Sequence, residues 1–246
     1  MNIIPAIDLK DGACVRLFKG DFEQTTEYSR EPLAVAQRFS ELSVAELHIV
    51  DLDGARTGSQ QNRAVVEGIA GQTPLAIQIG GGIRDTRTLL GWLDRGAARC
   101  VVGSLAVTEP ATVEEWLDEF GPERVVLALD VNIGEDGVPM LTTHGWTRPS
   151  TTSLWDGINR YLDSGLKHLL CTDVSRDGAL AGPNLELYAQ IVARYPALRL
   201  QASGGVRSID DMTALRAAGV PAAITGRALL DGKITAEEIR SFRQDG

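Results

Sequence analysis

Two aspartates close short apolar runs in matching places on either side of the chain. Asp8 ends Ile3-Ile4-Pro5-Ala6-Ile7, and Asp130 ends Val125-Val126-Leu127-Ala128-Leu129, 122 positions later in a chain of 246 residues. Two carboxylates facing each other across a pocket suit acid–base chemistry, since unlike environments let one stay ionised as base while the other keeps a proton as acid. A strand-end aspartate can also simply cap the turn that follows, so each alone is ambiguous. Their recurrence at equivalent places in a repeat favours chemistry.

The glycine-rich turns recur at nearly the same interval. Gly80-Gly81-Gly82 returns as Ser203-Gly204-Gly205, and Gly103-Ser104 returns as Gly226-Arg227, with Gly81 and Gly204 separated by 123 positions. Glycine lets backbone approach a ligand closely, and consecutive N–H groups beside a helix N-terminus make a nest for phosphate. One such run is what any turn needs. Two pairs at the repeat interval predict a ligand carrying a phosphate at each end.

Asp51, Thr172, Asp173 and the Asp177-Gly178 pair are also expected around the pocket rim. His48 lies three residues before Asp51, so along a strand the two point to opposite faces; substrate contact and a purely structural role both remain open for it. Trp146, in the polar stretch Thr143-His144-Gly145-Trp146-Thr147, could stack on a flat heterocycle or pin its loop to the rim. His48, His144 and His168 are scattered, with no HxH or HExxH spacing, so no metal is expected. No GxGxxG opens a helix after the first strand and no GxSxG occurs, which disfavours dinucleotide binding and serine-nucleophile chemistry. Cys14, Cys100 and Cys171 lack CxxC spacing and read as buried free thiols in a reducing compartment.

Positioning these groups requires strands that alternate with helices. Strand-like runs fall near 3–7, 47–50, 75–79, 100–102, 125–129, 168–171, 198–202 and 222–225. Helical patterns begin at Pro32, after Asn62 and Asp85 as caps, and at Pro110, then recur near 153–164, 185–195, 208–218 and 235–243. Strict alternation predicts a parallel sheet with right-handed crossovers, and eight units with polar strand ends predict a (β/α)8 TIM barrel. An open doubly wound sheet is the competitor, but a twofold repeat favours closure from two half-barrels, roughly 1–122 and 123–246. No linker divides them, so one domain over 1–246 is expected. The polar stretches 19–30 and 134–150 read as long loops that serve as lids.

A net charge of −9 argues against nonspecific nucleic-acid or anionic-membrane binding. The longest apolar run is far too short to span a bilayer and no basic segment precedes it, so a cytoplasmic location is expected, and a monomer.

The motifs together resemble a known family. Ile4-Pro5-Ala6-Ile7-Asp8-Leu9, Gly80-Gly81-Gly82-Ile83-Arg84, Leu127-Ala128-Leu129-Asp130, Thr172-Asp173-Val174-Ser175-Arg176-Asp177-Gly178, Gly182-Pro183-Asn184 and Ser203-Gly204-Gly205 are similar to phosphoribosylformimino-aminoimidazole carboxamide ribotide isomerases. The likeness runs from Asn2 to about Lys233. It implies an Amadori rearrangement of a bis-phosphorylated aminoaldose to an aminoketose in histidine biosynthesis, with neither metal nor organic cofactor. By position, Asp8 resembles the general base and Asp130 the acid, with Thr172 and Asp177 as further catalytic groups. Either Asp130 or Asp177 would donate the proton. Arg16, His48 and Trp146 resemble ligand contacts. Two relatives stay open: a cyclase subunit of imidazole glycerol phosphate synthase, which reads Ala-Cys-Leu-Asp where this chain has Ala6-Ile7-Asp8, and a bifunctional isomerase that also takes phosphoribosylanthranilate.

The flanking charges imply a division of labour. Asp8 has Lys10 and Arg16 nearby in sequence, which should lower its pKa, whereas Asp130 meets no positive residue before Arg148 and should hold its proton more easily.

Overall fold

The computed structural model describes residues 1–18 and 20–244. Lys19, the first residue of one expected loop, and positions 245 and 246 of the expected domain lie outside the described residues. In chain order the strands are β1 (Asn2–Lys10), β2 (Ala13–Phe18), β3 (Asp21–Ser29), β4 (Glu46–Asp51), β5 (Ala76–Gly80), β6 (Arg99–Val102), β7 (Val125–Ala128), β8 (Val131–Ile133), β9 (Pro139–Thr143), β10 (Arg148–Ser153), β11 (His168–Thr172), β12 (Arg199–Ser203) and β13 (Ala222–Thr225).

Eight of these form a closed parallel barrel in the order β13-β12-β11-β7-β6-β5-β4-β1, and β1 pairs back with β13 through Asn2↔Ala222 to Pro5↔Thr225. Both faces of each barrel strand are covered, which is why β1 reads as an unbroken apolar run. The pleat divides that run: Ile4 and Ala6 join Val101, Val126, Leu170 and Ile224 inside the barrel, while Ile3, Ile7 and Leu9 pack outward beneath the helices. The expected (β/α)8 fold is what the chain adopts.

Helices Pro32–Ser40, Arg63–Gln72, Thr86–Leu93, Pro110–Phe120, Leu154–Leu162, Leu185–Arg194, Ile209–Ala217 and Ala236–Gln244 follow the barrel strands in turn. Proline opens two of them, where its missing N–H costs nothing. Asp85 caps its helix by accepting from the Thr88 N–H at 2.7 Å. Asn62 occupies a cap position but its side chain makes no cap bond: its Oδ1 accepts the Gly12 N–H at 2.9 Å instead, while its Nδ2 donates to buried Asp51 and Asp53.

The two expected loops are corrected. Residues 21–29 form β3, which pairs antiparallel with β2, the strand that carries Arg16. Within residues 131–153, β8, β9 and β10 form the separate antiparallel sheet β10-β9-β8, with turns over 134–138 and 144–147. Both hairpins leave the barrel at the mouth. β3 (DFEQTTEYS) has no buried residue, so it carries no apolar alternation to reveal it in sequence.

Candidate active site

The C-terminal strand ends open into a cavity of about 780 Å³. Asp8, Asp130, Asp177, Thr172, Arg16, His48 and Trp146 all line it, and so do Gly81, Gly82, Gly103, Ser104, Gly178, Ser203, Gly204, Gly205, Gly226 and Arg227. Residues from both halves of the chain therefore face one space.

Asp51 and Asp173, expected at the rim, do not line that space. The register explains it: Asp8 lies level with Val50, whereas Asp51 lies level with the outward-facing Leu9. Asp51 instead accepts from the Gly54 N–H at 3.0 Å and the Asn62 amide at 2.6 Å. Asp173 accepts from the Ser175 N–H at 3.0 Å and the Asn184 amide at 2.7 Å. For these two the turn-capping alternative is correct, and the shared Asp–Asn pairing is a trace of the repeat.

Asp8 and Asp130 have different neighbours. Arg16 on β2 sits between two carboxylates, at 3.0 Å from Asp8 Oδ2 and 3.4 Å from Asp177 Oδ1, and so links the halves. Asp130 Oδ2 accepts the Trp146 indole N–H at 2.8 Å, while its Oδ1 is buried with no partner at ordinary hydrogen-bond distance.

The expected lowering of the Asp8 pKa is corrected. Burial pushes it from 3.8 up to about 6, overcoming Arg16, and the neighbouring Asp177 charge adds to the rise. Lys10 contributes nothing there, since its Nζ turns to the Phe22 carbonyl at 3.4 Å and Thr25 Oγ1 at 3.2 Å. Burial also raises Asp130, against the Trp146 and Thr172 contacts that favour its charged form. Burial, with Arg16 adding to it, pushes His48 down to about 3 and keeps it neutral.

Backbone geometry governs the glycine turns. Gly82 has φ +75°, and a Cβ there would stand 2.4 Å from the Gly54 carbonyl oxygen; at Gly205, with φ +88°, it would stand 2.3 Å from that of Gly182. These positions need glycine for the turn itself, whatever they bind. Gly103 differs: its nearest neighbour would be Ala128 at 3.8 Å. Arg227 reaches the Gly178 carbonyl and pairs with Asp231 at 3.2 Å, so it enters the cavity wall already partnered.

Sequence reasoning missed three residues here. Gly20 approaches the Trp146 ring so closely that a Cβ would lie 2.6 Å from it, which brings the two mouth hairpins together. Gln78 and Gln201 bond each other across the barrel interior. Their separation of 123 equals the glycine interval, and that signal was available.

The histidine biosynthesis protein family matches this chain over residues 2–235. The chain belongs to that family. Within it, the 1-(5-phosphoribosyl)-5-((5-phosphoribosylamino)methylideneamino)imidazole-4-carboxamide isomerase of Photobacterium profundum is 46% identical over 236 residues, covering 96% of this chain and 97% of the relative. The protein of the same name from Vibrio cholerae serotype O1 is 44% identical over 244 residues, covering 99% and 100%. The family resemblance carried by the motifs is thereby upheld. Among the described residues no helix is long and apolar enough to cross a membrane.

Proposed function

We propose that the protein is an intramolecular aldose–ketose isomerase of histidine biosynthesis, acting on the bis-phosphorylated aminoaldose that its relatives' name describes. The observation that carries this reading is the pair Asp8 and Asp130 in one cavity, from opposite halves of the repeat and with unlike partners. The glycine turns after β5 and β6 and after β12 and β13 give each half a place for one phosphate.

In the reaction a carboxylic acid protonates the ribose ring oxygen and the C–O bond opens to an imine. Asp8 then takes the C2 proton and the electrons shift to an enolamine; protonation at C1 by the protonated Asp8, with loss of the C2 hydroxyl proton back to the carboxylate that opened the ring, leaves the ketose. A carboxylate with pKa about 6 is mostly ionised at neutral pH yet far more basic than a free aspartate. Asp130, raised by burial, suits the proton-holding role. Asp177, tethered to Asp8 through Arg16, is the other candidate donor. Anchoring both phosphates would fix the reacting carbons between the carboxylates. We further place the protein in the cytoplasm as a single-domain monomer, working without metal or organic cofactor.

The test is to incubate the purified protein in excess EDTA with the aminoaldose and, separately, with phosphoribosylanthranilate. Conversion of the first alone supports this reading, conversion of both supports the bifunctional alternative, and conversion of neither refutes it.

A further inference from the structure

Directly below the carboxylates, Gln78, His48 and Gln201 share one layer of the barrel interior with apolar neighbours. Gln78 lies directly beside His48 in the β4–β5 register, and Gln201 reaches across from β12. All three are buried, at 0%, 7% and 2% exposure for Gln78, His48 and Gln201, where an unpaired polar atom would be costly. The two amides bond reciprocally: Gln78 Nε2 donates to Gln201 Oε1 at 2.7 Å and Gln201 Nε2 donates to Gln78 Oε1 at 3.0 Å. A primary amide has two N–H bonds, and the pairing uses one. The second Gln78 N–H faces His48 Nδ1 at 3.0 Å. Nδ1 must then be the acceptor, which places the ring proton on Nε2.

From this geometry, and resting on the isomerase reading of the cavity, we infer that Gln78 is a positioning residue that locks His48 as its Nε2–H tautomer. His48 thereby presents a neutral hydrogen-bond donor to an oxygen of the bound sugar phosphate and takes no proton in the reaction. Gln201 is the element that holds Gln78 in the required orientation. The repeat accounts for the pair but not for the histidine: position 170, the counterpart of His48, is leucine, so the amide pair orients an imidazole in the first half only. Turning both amides over together would preserve their mutual bonds while reversing the bond to His48, so the tautomer is the deciding observable.

The experiment uses the full chain labelled with ¹⁵N-histidine and long-range ¹H–¹⁵N correlation spectra without ligand, the His48 signals being assigned by their loss in His48→Gln. The expected result is the Nε2–H tautomer in the wild type. Gln78→Glu replaces the donor with an acceptor and should convert His48 to the Nδ1–H tautomer. The double variant Gln78→Met/Gln201→Met removes both amides at once, leaving neither unpartnered, and should release His48 from a single Nε2–H form into a mixture of the two tautomers. In both variants kcat should fall by about 10–100-fold, by analogy with the loss of a partner that orients a metal-bound imidazole. An Nδ1–H or doubly protonated His48 in the wild type would overturn the inference, as would an unchanged tautomer or unchanged kcat in the double variant. A wild type with the Nε2–H tautomer but no turnover of the aminoaldose would refute the isomerase reading and leave the tautomer assignment standing.

Discussion

Asp8→Asn should make the protein more stable at neutral pH while removing its activity. Asp8 is 6% exposed and its pKa rises from 3.8 to about 6 on folding. At about 1.36 kcal/mol per pK unit, that shift corresponds to about 3 kcal/mol by which folding disfavours the ionised form. The attraction of Arg16 is already contained in the shift. Because the folded carboxyl holds its proton more tightly than the unfolded one, its contribution is complete below pH about 4 and is lost as pH rises through about 6. Asparagine mimics the protonated form at every pH. The variant should therefore exceed the wild type by up to about 3 kcal/mol at pH 8, with the gap shrinking as pH falls from 6 toward 4. Urea unfolding at a series of pH values, followed by tryptophan fluorescence, measures the gap directly. A less stable variant at pH 8, or a gap independent of pH, would show that the Arg16 pairing outweighs burial and that the tuned-base reasoning is wrong. The same shift predicts that wild-type kcat/KM falls on the acid side of pH about 6, where the base becomes protonated.

Asp130→Asn and Asp177→Asn should each bind substrate and lose about 10²–10⁴-fold in kcat, and the larger loss identifies the proton donor. Equal, near-wild-type rates for both would remove them from the chemistry. Gly103→Ala should raise KM with little change in unfolding midpoint, since a Cβ there meets nothing closer than 3.8 Å and faces the cavity; an unchanged KM would mean that this turn does not contact the ligand. Gly82→Val is a poorer probe, because its side chain collides with the Gly54 carbonyl and the turn itself should fail. Asn62→Ala removes donors at 2.6 and 2.9 Å from buried Asp51 and Asp53 and an acceptor for the Gly12 N–H, and should cost about 1–3 kcal/mol or more in denaturant unfolding.

The barrel was legible in sequence because its strands are buried on both faces, so that runs such as Ile3 to Leu9 mark a parallel sheet, and the repeat favoured closure over an open sheet. Asp8 and Asp130 were legible because the repeat marked both strand ends. Asp51 and Asp173 were misplaced because one step in the pleat decides between cavity and outer layer, and that step depends on a register not written in the residues. β3 and β10 went unseen because strands exposed on both faces need no apolar alternation. The direction of the Asp8 pKa shift was misjudged for a related reason. A charge nearby in sequence, such as Lys10, can point away, and burial is a property of the closed barrel.

If Asp8 removes the C2 proton of the aminoaldose, hydrogen exchange at C2 in D₂O, followed by proton NMR of substrate and product, will report it. The wild type should wash solvent deuterium into C2 or lose the C2 proton on conversion, while Asp8→Asn binds the substrate and leaves that proton in place. Loss of the C2 proton in Asp8→Asn at the wild-type rate would contradict the account and assign the base elsewhere in the cavity.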